Sequence, residues 1–164
     1  MDYYNEIKNE LIDNEVNKKI KDYSKNKYEL QKYYNVGKLL IEAQGGEERA
    51  KYGNGLIKEY SKRLTYELGK GYTTTNLKYM RQFYLFCEKS HSLCDLLTWT
   101  HYRKLLPIKN INEILYYTKI VVQQNLSVRD LERKIKNNEY ERLDENTRNK
   151  LKKEENIEIK DLVP

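Results

Sequence analysis

The sequence predicts an all-α protein, and three observations support this fold class. Apolar residues recur at intervals of three and four residues through most of the 164-residue chain, whereas strand-like alternation is hard to find. Pro107 is the only proline inside the chain, so long helices meet few obligatory breaks. The composition, 38% hydrophobic and 34% charged, suits a small and highly solvated helical protein. We therefore expect a multi-helix domain with a helix-turn-helix core and a long N-terminal helix.

Residues 2–44 are predicted to form that N-terminal segment as one or two long helices. An apolar stripe runs through YELQKYYNVGKLLIEAQ, and Gly37 lies within it. Glycine inside a helix costs about 1 kcal/mol relative to alanine. We therefore expect Gly37 to mark a close crossing with another helix. The glycines at 45 and 46 end the segment.

Residues 54–88 are predicted to form the helix-turn-helix. The first helix, 54–68, carries apolar residues at helical spacing, and Gly69-Lys70-Gly71 ends it because glycine accepts the left-handed conformation found at helix C-termini. Threonine hydroxyls at 73–75 can cap the second helix, 74–88. The predicted core residues of the two helices are Leu56, Ile57, Tyr60, Leu64, Leu77, Met80, Phe83, Tyr84 and Cys87.

The opposite face of the second helix is basic and rich in hydrogen-bond donors. Thr75, Lys78 and Gln82 share this face at about 100° per residue, and Tyr79 and Arg81 flank it. The pattern is typical of a recognition helix that packs on its partner and presents donors to a DNA groove. The alternative is an ordinary solvated hairpin, which is common among helical proteins.

Cations are concentrated in this hairpin, whereas the net charge of the whole chain is a moderate +6. Clustered cations release condensed counterions when they meet phosphates, which favours a polyanionic partner. Lysine enrichment is also typical of proteins from AT-rich genomes, which is the competing explanation. The hairpin cations are Lys58, Lys62, Arg63, Lys70, Lys78 and Arg81, opposed by Glu59 and Glu67.

A second helical group follows. Thr98 or Thr100 caps a short helix that ends near Pro107, and Asn125 ends the helix after it. Ser127 caps the last core helix. The predicted core face of that helix is Val128, Leu131 and Ile135, which leaves Arg129, Arg133, Lys134 and Lys136 for other interactions.

Three separated segments resemble one family. AKYGNGLIKEYSKRLTYELGKGYTTTNLKYMRQFYLF, followed by LTWTHYRKLLPI and LSVRDLERKIKNNEYERL, is similar to the N-terminal domain of YhcG-type proteins over roughly residues 28–143. That domain usually precedes a nuclease domain of the PD-(D/E)XK superfamily. The resemblance implies a bacterial, DNA-associated protein whose helical domain binds DNA. It implies a helical domain over 1–143 and a charged linker over 144–164 toward an absent nuclease domain, in an excised domain or a naturally short gene.

The second helical group also resembles the helix-turn-helix segment of ParB-type DNA-binding proteins. The resemblance implies a second DNA-facing helix over residues 128–137, with Arg129 on it. Convergent capping patterns would produce the same short match. The matching positions are His101, Arg103, Leu105, Leu106, Leu126, Ser127, Val128 and Arg129.

The sequence argues against catalysis by this chain. Asp144 and Glu158-Ile159-Lys160 match the letters of a D…E-x-K nuclease signature, but those groups bind Mg²⁺ only when neighbouring strands hold them together. No glycine-rich phosphate loop or nucleophile elbow is present. We therefore expect no enzyme activity and no cofactor, with Mg²⁺ needed only by the absent nuclease domain.

A metal site is also not expected. Cys87, His91 and Cys94 form a C-x3-H-x2-C pattern, but a structural zinc needs four ligands and His101 is the only other histidine. Both cysteines are predicted to be reduced thiols.

The function predicted from these patterns is DNA binding, as the targeting domain of a nuclease of this type, with double-stranded DNA as partner. The alternative is a protein-interaction or dimerisation module, forming a homo-oligomer or recruiting a nuclease, because the N-terminal helix is long and the chain has 16 tyrosines. RNA binding is a third possibility. No signal peptide or membrane span is visible, so we expect a cytoplasmic protein without a small-molecule substrate. The predicted DNA contacts are Lys58, Lys62, Arg63, Lys70, Thr75, Lys78, Tyr79, Arg81, Gln82 and Arg129.

Overall fold

A computed structural model describes residues 3–47, 55–91 and 95–152, and all regular secondary structure within these ranges is helical. The all-α prediction is confirmed. None of the helices in these ranges is both long enough and apolar enough to cross a membrane. The helices are α1 (Tyr3–Ala43), α2 (Gly55–Leu68), α3 (Thr74–Ser90), α4 (Trp99–Leu105), α5 (Ile111–Gln124), α6 (Val128–Lys136), a 3₁₀ turn (Tyr140–Arg142) and α7 (Glu145–Lys152).

Helices α1 and α3 form the most extensive packing contact of the domain, and Gly37 lies at their crossing. A Cβ added at Gly37 would lie 2.1 Å from the carbonyl oxygen of Met80 and 2.9 Å from the Cβ of Tyr84. Carbon and oxygen atoms without a bond between them do not approach this closely. The predicted close crossing is therefore confirmed, and it requires a residue without a side chain.

Helix α3 is the centre of the core. Leu77, Met80 and Phe83 are buried, as the periodicity predicts, but Phe86 is buried as well. The Phe83 and Phe86 rings lie 4.6 and 6.3 Å from the ring of Tyr102 in α4. Because α1 covers one side of α3 and α4 covers another, the buried face is wider than its own sequence indicates. A smaller part of the α3 surface is therefore exposed to a binding partner.

The predicted helix ends are confirmed by their capping contacts. Thr73 Oγ1 accepts from the backbone N–H of Asn76 at 3.1 Å, which satisfies one of the free donors at the start of α3. Ser127 Oγ does the same for α6 by accepting from the N–H of Asp130 at 3.1 Å. Asn125 has a φ of 49°, the left-handed conformation that ends α5.

Tyrosine builds much of the core. Tyr102, Tyr116 and Tyr117 are all fully buried. The Tyr116 hydroxyl donates to Glu139 at 3.1 Å, and the Tyr117 hydroxyl accepts from the backbone N–H of Tyr140 at 3.3 Å. Burial is the main cause that raises the pKa of Tyr117 to about 12. The buried rings thus bring hydroxyls that satisfy polar groups at the edge of the core.

The packed body continues beyond residue 143, where the family resemblance implies a charged linker. Helix α7 packs against α5, and Thr147 is 7% exposed. Asp144 Oδ1 accepts from the backbone N–H of Thr147 at 2.7 Å and so caps this helix. Residues 153–164, which include Glu158 and Lys160 of the D…E-x-K pattern, lie outside the described residues.

Candidate nucleic-acid interface

The predicted contact residues of the hairpin differ in exposure. The cations of α2 and of the following turn, Lys58, Lys62, Arg63 and Lys70, are all exposed. Ser61 Oγ donates to the carbonyl of Tyr72 at 2.6 Å, which holds this turn against α2. On α3, by contrast, two of the five predicted contacts, Thr75 and Gln82, are exposed, and Lys78, Tyr79 and Arg81 are half-buried.

Arg81 already has an intramolecular partner. Its Nη1 donates to Gln44 Oε1 at 2.8 Å, where α1 ends, and burial lowers the pKa of its guanidinium from the ordinary value. To contact a base edge, Arg81 would have to leave this position. Its predicted contact with guanine is therefore the least favoured of the set.

Tyr79 lies beside the second helical group. The Arg103 guanidinium of α4 lies 5.6 Å from the centre of the Tyr79 ring, within the range of a cation–π interaction. Tyr33 of α1 is close by. Burial, and then Glu29, raises the pKa of Tyr33 to about 12, whereas Arg103 lowers it. The N-terminal half of α3 and the exposed face of α4 therefore share one side of the molecule.

Helix α4 connects α3 to α6. Its buried side chains are Trp99, His101, Tyr102 and Leu105, which leaves Thr100, Arg103 and Lys104 exposed. The Lys104 ammonium lies 2.7 Å from Glu132 of α6. The exposed face of α4 thus contacts Tyr79 through Arg103 and reaches α6 through Lys104.

Helix α6 and Lys104 line one shallow open depression with cations on its rim. Arg129 is exposed, and Arg133 makes only a long surface contact, 3.8 Å, with Asp130. Such exposed pairs contribute little, so the guanidinium remains available for phosphate. We use the name basic face for Arg103, Lys104, Arg129, Arg133 and Lys136. Four of these five residues, all except Arg103, line the depression together with Glu132 and Ile135.

Lys134, which the sequence places outside the predicted core face of α6 together with the other cations of that helix, forms an ion pair within the domain. Its ammonium lies 3.0 and 3.3 Å from the two carboxylate oxygens of Glu139. Glu139 also accepts from the buried Tyr116, so the pair closes α6 onto α5. The expectation that Lys134 is free was wrong, because helical periodicity cannot show a carboxylate placed after the end of the helix.

The two halves of the ParB-like pattern meet in space at His101. Nδ1 lies 3.1 Å from the backbone nitrogen of Thr98, which can only donate, so Nδ1 accepts and the proton is on Nε2. Nε2 then donates to the carbonyl of Leu126 at 3.0 Å, immediately before the cap of α6. His101 therefore both caps α4 and holds it against the start of α6.

The contacts of His101 predict that its substitution lowers the stability of the domain. We expect His101→Ala to destabilise the domain by about 2 kcal/mol, since it removes half of a capping box and a bond to a partly buried carbonyl. Thermal unfolding followed by circular dichroism measures the effect. Thr100→Ala, at the exposed neighbouring position, is the control and should change stability little. Equal midpoints for the two variants would show that His101 does not hold the helices together.

Only part of the C-x3-H-x2-C pattern lies within the residues that the structure describes. Cys87 is buried in the core, and burial raises the pKa of its thiol to about 12, which disfavours the thiolate form. His91 is exposed in a left-handed conformation at the end of α3, and Cys94 lies outside the described residues. Within the described ranges, no three histidine, cysteine or carboxylate side chains are grouped as metal ligands would be.

Four residues of the basic face, Arg103, Lys104, Arg133 and Lys136, were not among the predicted contacts. A signal for the first two was present: Thr100, Arg103 and Lys104 follow the spacing i, i+3, i+4 opposite the aromatic residues Trp99 and Tyr102. The packing of α4 against α6 has no such local signal in the sequence, because it depends on how α5 packs and brings α6 back beside α4.

Comparison with known proteins places the chain in a family. Residues 7–142 match the family model described as the DUF1016 N-terminal domain. A relative from Escherichia coli (strain K12), named "Putative nuclease YhcG", is 33% identical over 143 residues, which covers 67% of this chain and 38% of the relative. The chain thus spans less than half the length of that protein. No solved structure matches significantly. This chain belongs to the DUF1016 N-terminal domain family, as the resemblance to YhcG-type proteins predicted.

Proposed function

We propose that this domain binds double-stranded DNA and directs a nuclease-type protein of its family to its substrate. The basic face is the observation that carries the proposal. Its five cations come from two helices that are separate in sequence, and Asp130 and Glu132 are the carboxylates of α6 that lie among them. A surface of this kind attracts phosphates through counterion release.

The start of α3 extends this surface. Thr75 is exposed in the first turn of α3, and Lys70 is exposed in the preceding turn. Helix N-termini favour phosphate because their first N–H groups lack partners within the helix. Tyr79, packed against Arg103, connects this end to the basic face. Phosphates of one duplex would lie along α4, with α3 and α6 on its two sides.

The name of the relative is consistent with this role, since a nuclease must approach nucleic acid. The proposal assigns positioning to this domain and leaves phosphodiester cleavage to the remainder of such a protein. Arg103, Lys104, Arg129 and Arg133 contact the backbone in this proposal, and Thr75, Lys78 and Gln82 approach the groove.

The test is a titration of a labelled duplex of about three helical turns with the 164-residue chain over a salt series. We expect log affinity to fall linearly with log salt, with a slope near −4 if four or five phosphates are contacted. Matched single-stranded DNA and RNA serve as the comparison. Stronger binding of RNA would replace DNA as the partner, and no binding of any of them at low salt would reject the proposal.

A further inference from the structure

The N-terminal half of α1 extends beyond the packed domain. Among the described residues, α1 is bonded to the body at Tyr23, whose hydroxyl donates to Asp95 at 2.8 Å, and at Asn26, whose amide donates to the carbonyls of Asp95 and Leu97. Among the α1 residues whose side chains are described, Leu30 is the first that is buried. At 1.5 Å per residue, residues 3–22 form an arm of about 30 Å.

This arm exposes apolar side chains. Every residue from Tyr3 to Leu11 is exposed, including Tyr4 at 73%, Ile7 at 60% and Leu11 at 62%. Tyr4, Ile7 and Leu11 are spaced by three and four residues and so lie on one side of the helix. Grouped large apolar side chains at a surface are typical of an interaction site.

The arm also carries several features that weaken an isolated helix. Four asparagines, which favour helices poorly, occur between residues 5 and 17. Glu6 and Glu10 form a like-charge pair at i, i+4, and Lys21 and Lys25 form another, each of which is unfavourable in an isolated helix. Opposite charges supplied from outside the helix would relieve both repulsions.

The charges of the arm are segregated along its length. Residues 3–15 contain four carboxylates and one lysine, a net charge of −3, whereas residues 16–28 contain five lysines and one aspartate, a net charge of +4. Two copies laid antiparallel bring the acidic end of each arm against the basic end of the other. Parallel pairing would place like charges together.

We propose that the arm, together with residues 23–28 that follow it in α1, is a self-association surface on which a second copy of this chain pairs antiparallel. The exposed side chains of Tyr4, Ile7 and Leu11 contribute the apolar part of the contact, and the segregated charges fix its direction. The pairing is independent of DNA binding. It leaves the two folded bodies at opposite ends of the paired arms.

The test is sedimentation equilibrium of the 164-residue chain at low and high salt. We expect a reversible dimer that weakens as salt rises. The acidic-end variant, Glu6→Lys with Glu10→Lys, and the basic-end variant, Lys21→Glu with Lys25→Glu, should each lose at least about 10-fold in self-affinity. An equimolar mixture of the two should form a heterodimer, which shows that the altered arms still pair.

Three results would overturn the proposal. A wild-type chain that stays monomeric at every protein concentration excludes self-association. Self-association that both variants retain unchanged places the interface elsewhere on the domain. A dimer that strengthens with salt indicates parallel or mainly apolar pairing in place of the antiparallel charge match. The four substituted side chains are exposed, so the thermal unfolding midpoints of the variants serve as the folding control.

Discussion

Gly37→Ala is expected to destabilise the domain by about 2–3 kcal/mol, the largest effect on folding among the substitutions considered. The added Cβ would lie 2.1 Å from the Met80 carbonyl oxygen and 2.8 Å from its carbon, so α1 and α3 must move apart. Both contacts are with backbone, which cannot rotate away as a side chain can. The higher helix propensity of alanine offsets only about 1 kcal/mol. Thermal unfolding should show a midpoint lower by roughly 10 °C.

Gly55→Ala is the matched control for this substitution. Gly55 begins α2, is exposed, and has no atom within 4 Å of the added Cβ. Alanine there should leave the free energy of unfolding unchanged or raise it slightly. If both variants unfold at the wild-type midpoint, the helices do not cross closely at Gly37.

Neutralising Arg129 and Arg133 together is expected to reduce affinity for duplex DNA about 10-fold and to lower the salt slope by about 2, because each lost phosphate contact removes nearly one released counterion. Both side chains are exposed on α6, and the Arg133–Asp130 contact is long, so Arg129→Gln with Arg133→Gln should leave the fold intact. The measurement is the duplex titration over salt, with circular dichroism to confirm folding.

The control is Lys27→Gln with Lys38→Gln, which makes the same change in net charge at exposed positions of α1. We expect this variant to bind almost as well as the wild type, since neither lysine belongs to the basic face. If both variants lose affinity equally, net charge alone would explain the binding and the basic face would have no special role.

The hairpin contribution is best tested through Lys70→Gln with Lys78→Gln. A charge reversal that includes Arg81 would also break its bond to Gln44 and so mix folding with binding. Loss of affinity in the hairpin variant but not in the α6 variant would move the proposed interface to the hairpin.

The helix ends were predictable in this chain because the residues that form the caps lie close to them in sequence. Thr73, Asn125 and Ser127 end or start helices through contacts within three or four residues, and these appear in the sequence as recognisable patterns. Gly37 was predictable as a crossing for a similar reason, since a glycine inside an apolar stripe has a cost that only close packing explains.

The candidate site was predictable only in part. Exposure of Lys58 and Lys62 follows from their positions opposite the apolar stripe of α2, whereas Arg63 lies beside the stripe. The bonds of Arg81 to Gln44 and of Lys134 to Glu139 could not be predicted, because each partner lies outside the helix that carries the cation. Periodicity assigns a side chain to a face and gives no information about what lies across from it.

The sequence by itself determined the helical class, the boundaries of most core helices and the family. Only the tertiary structure decided that the hairpin and the second helical group meet at Tyr79 and Arg103, and that His101 joins α4 to Leu126. The reason is physical: helix formation and capping depend on neighbours within one or two turns, whereas a surface assembled from α3, α4 and α6 depends on how buried faces pack after the chain has folded back.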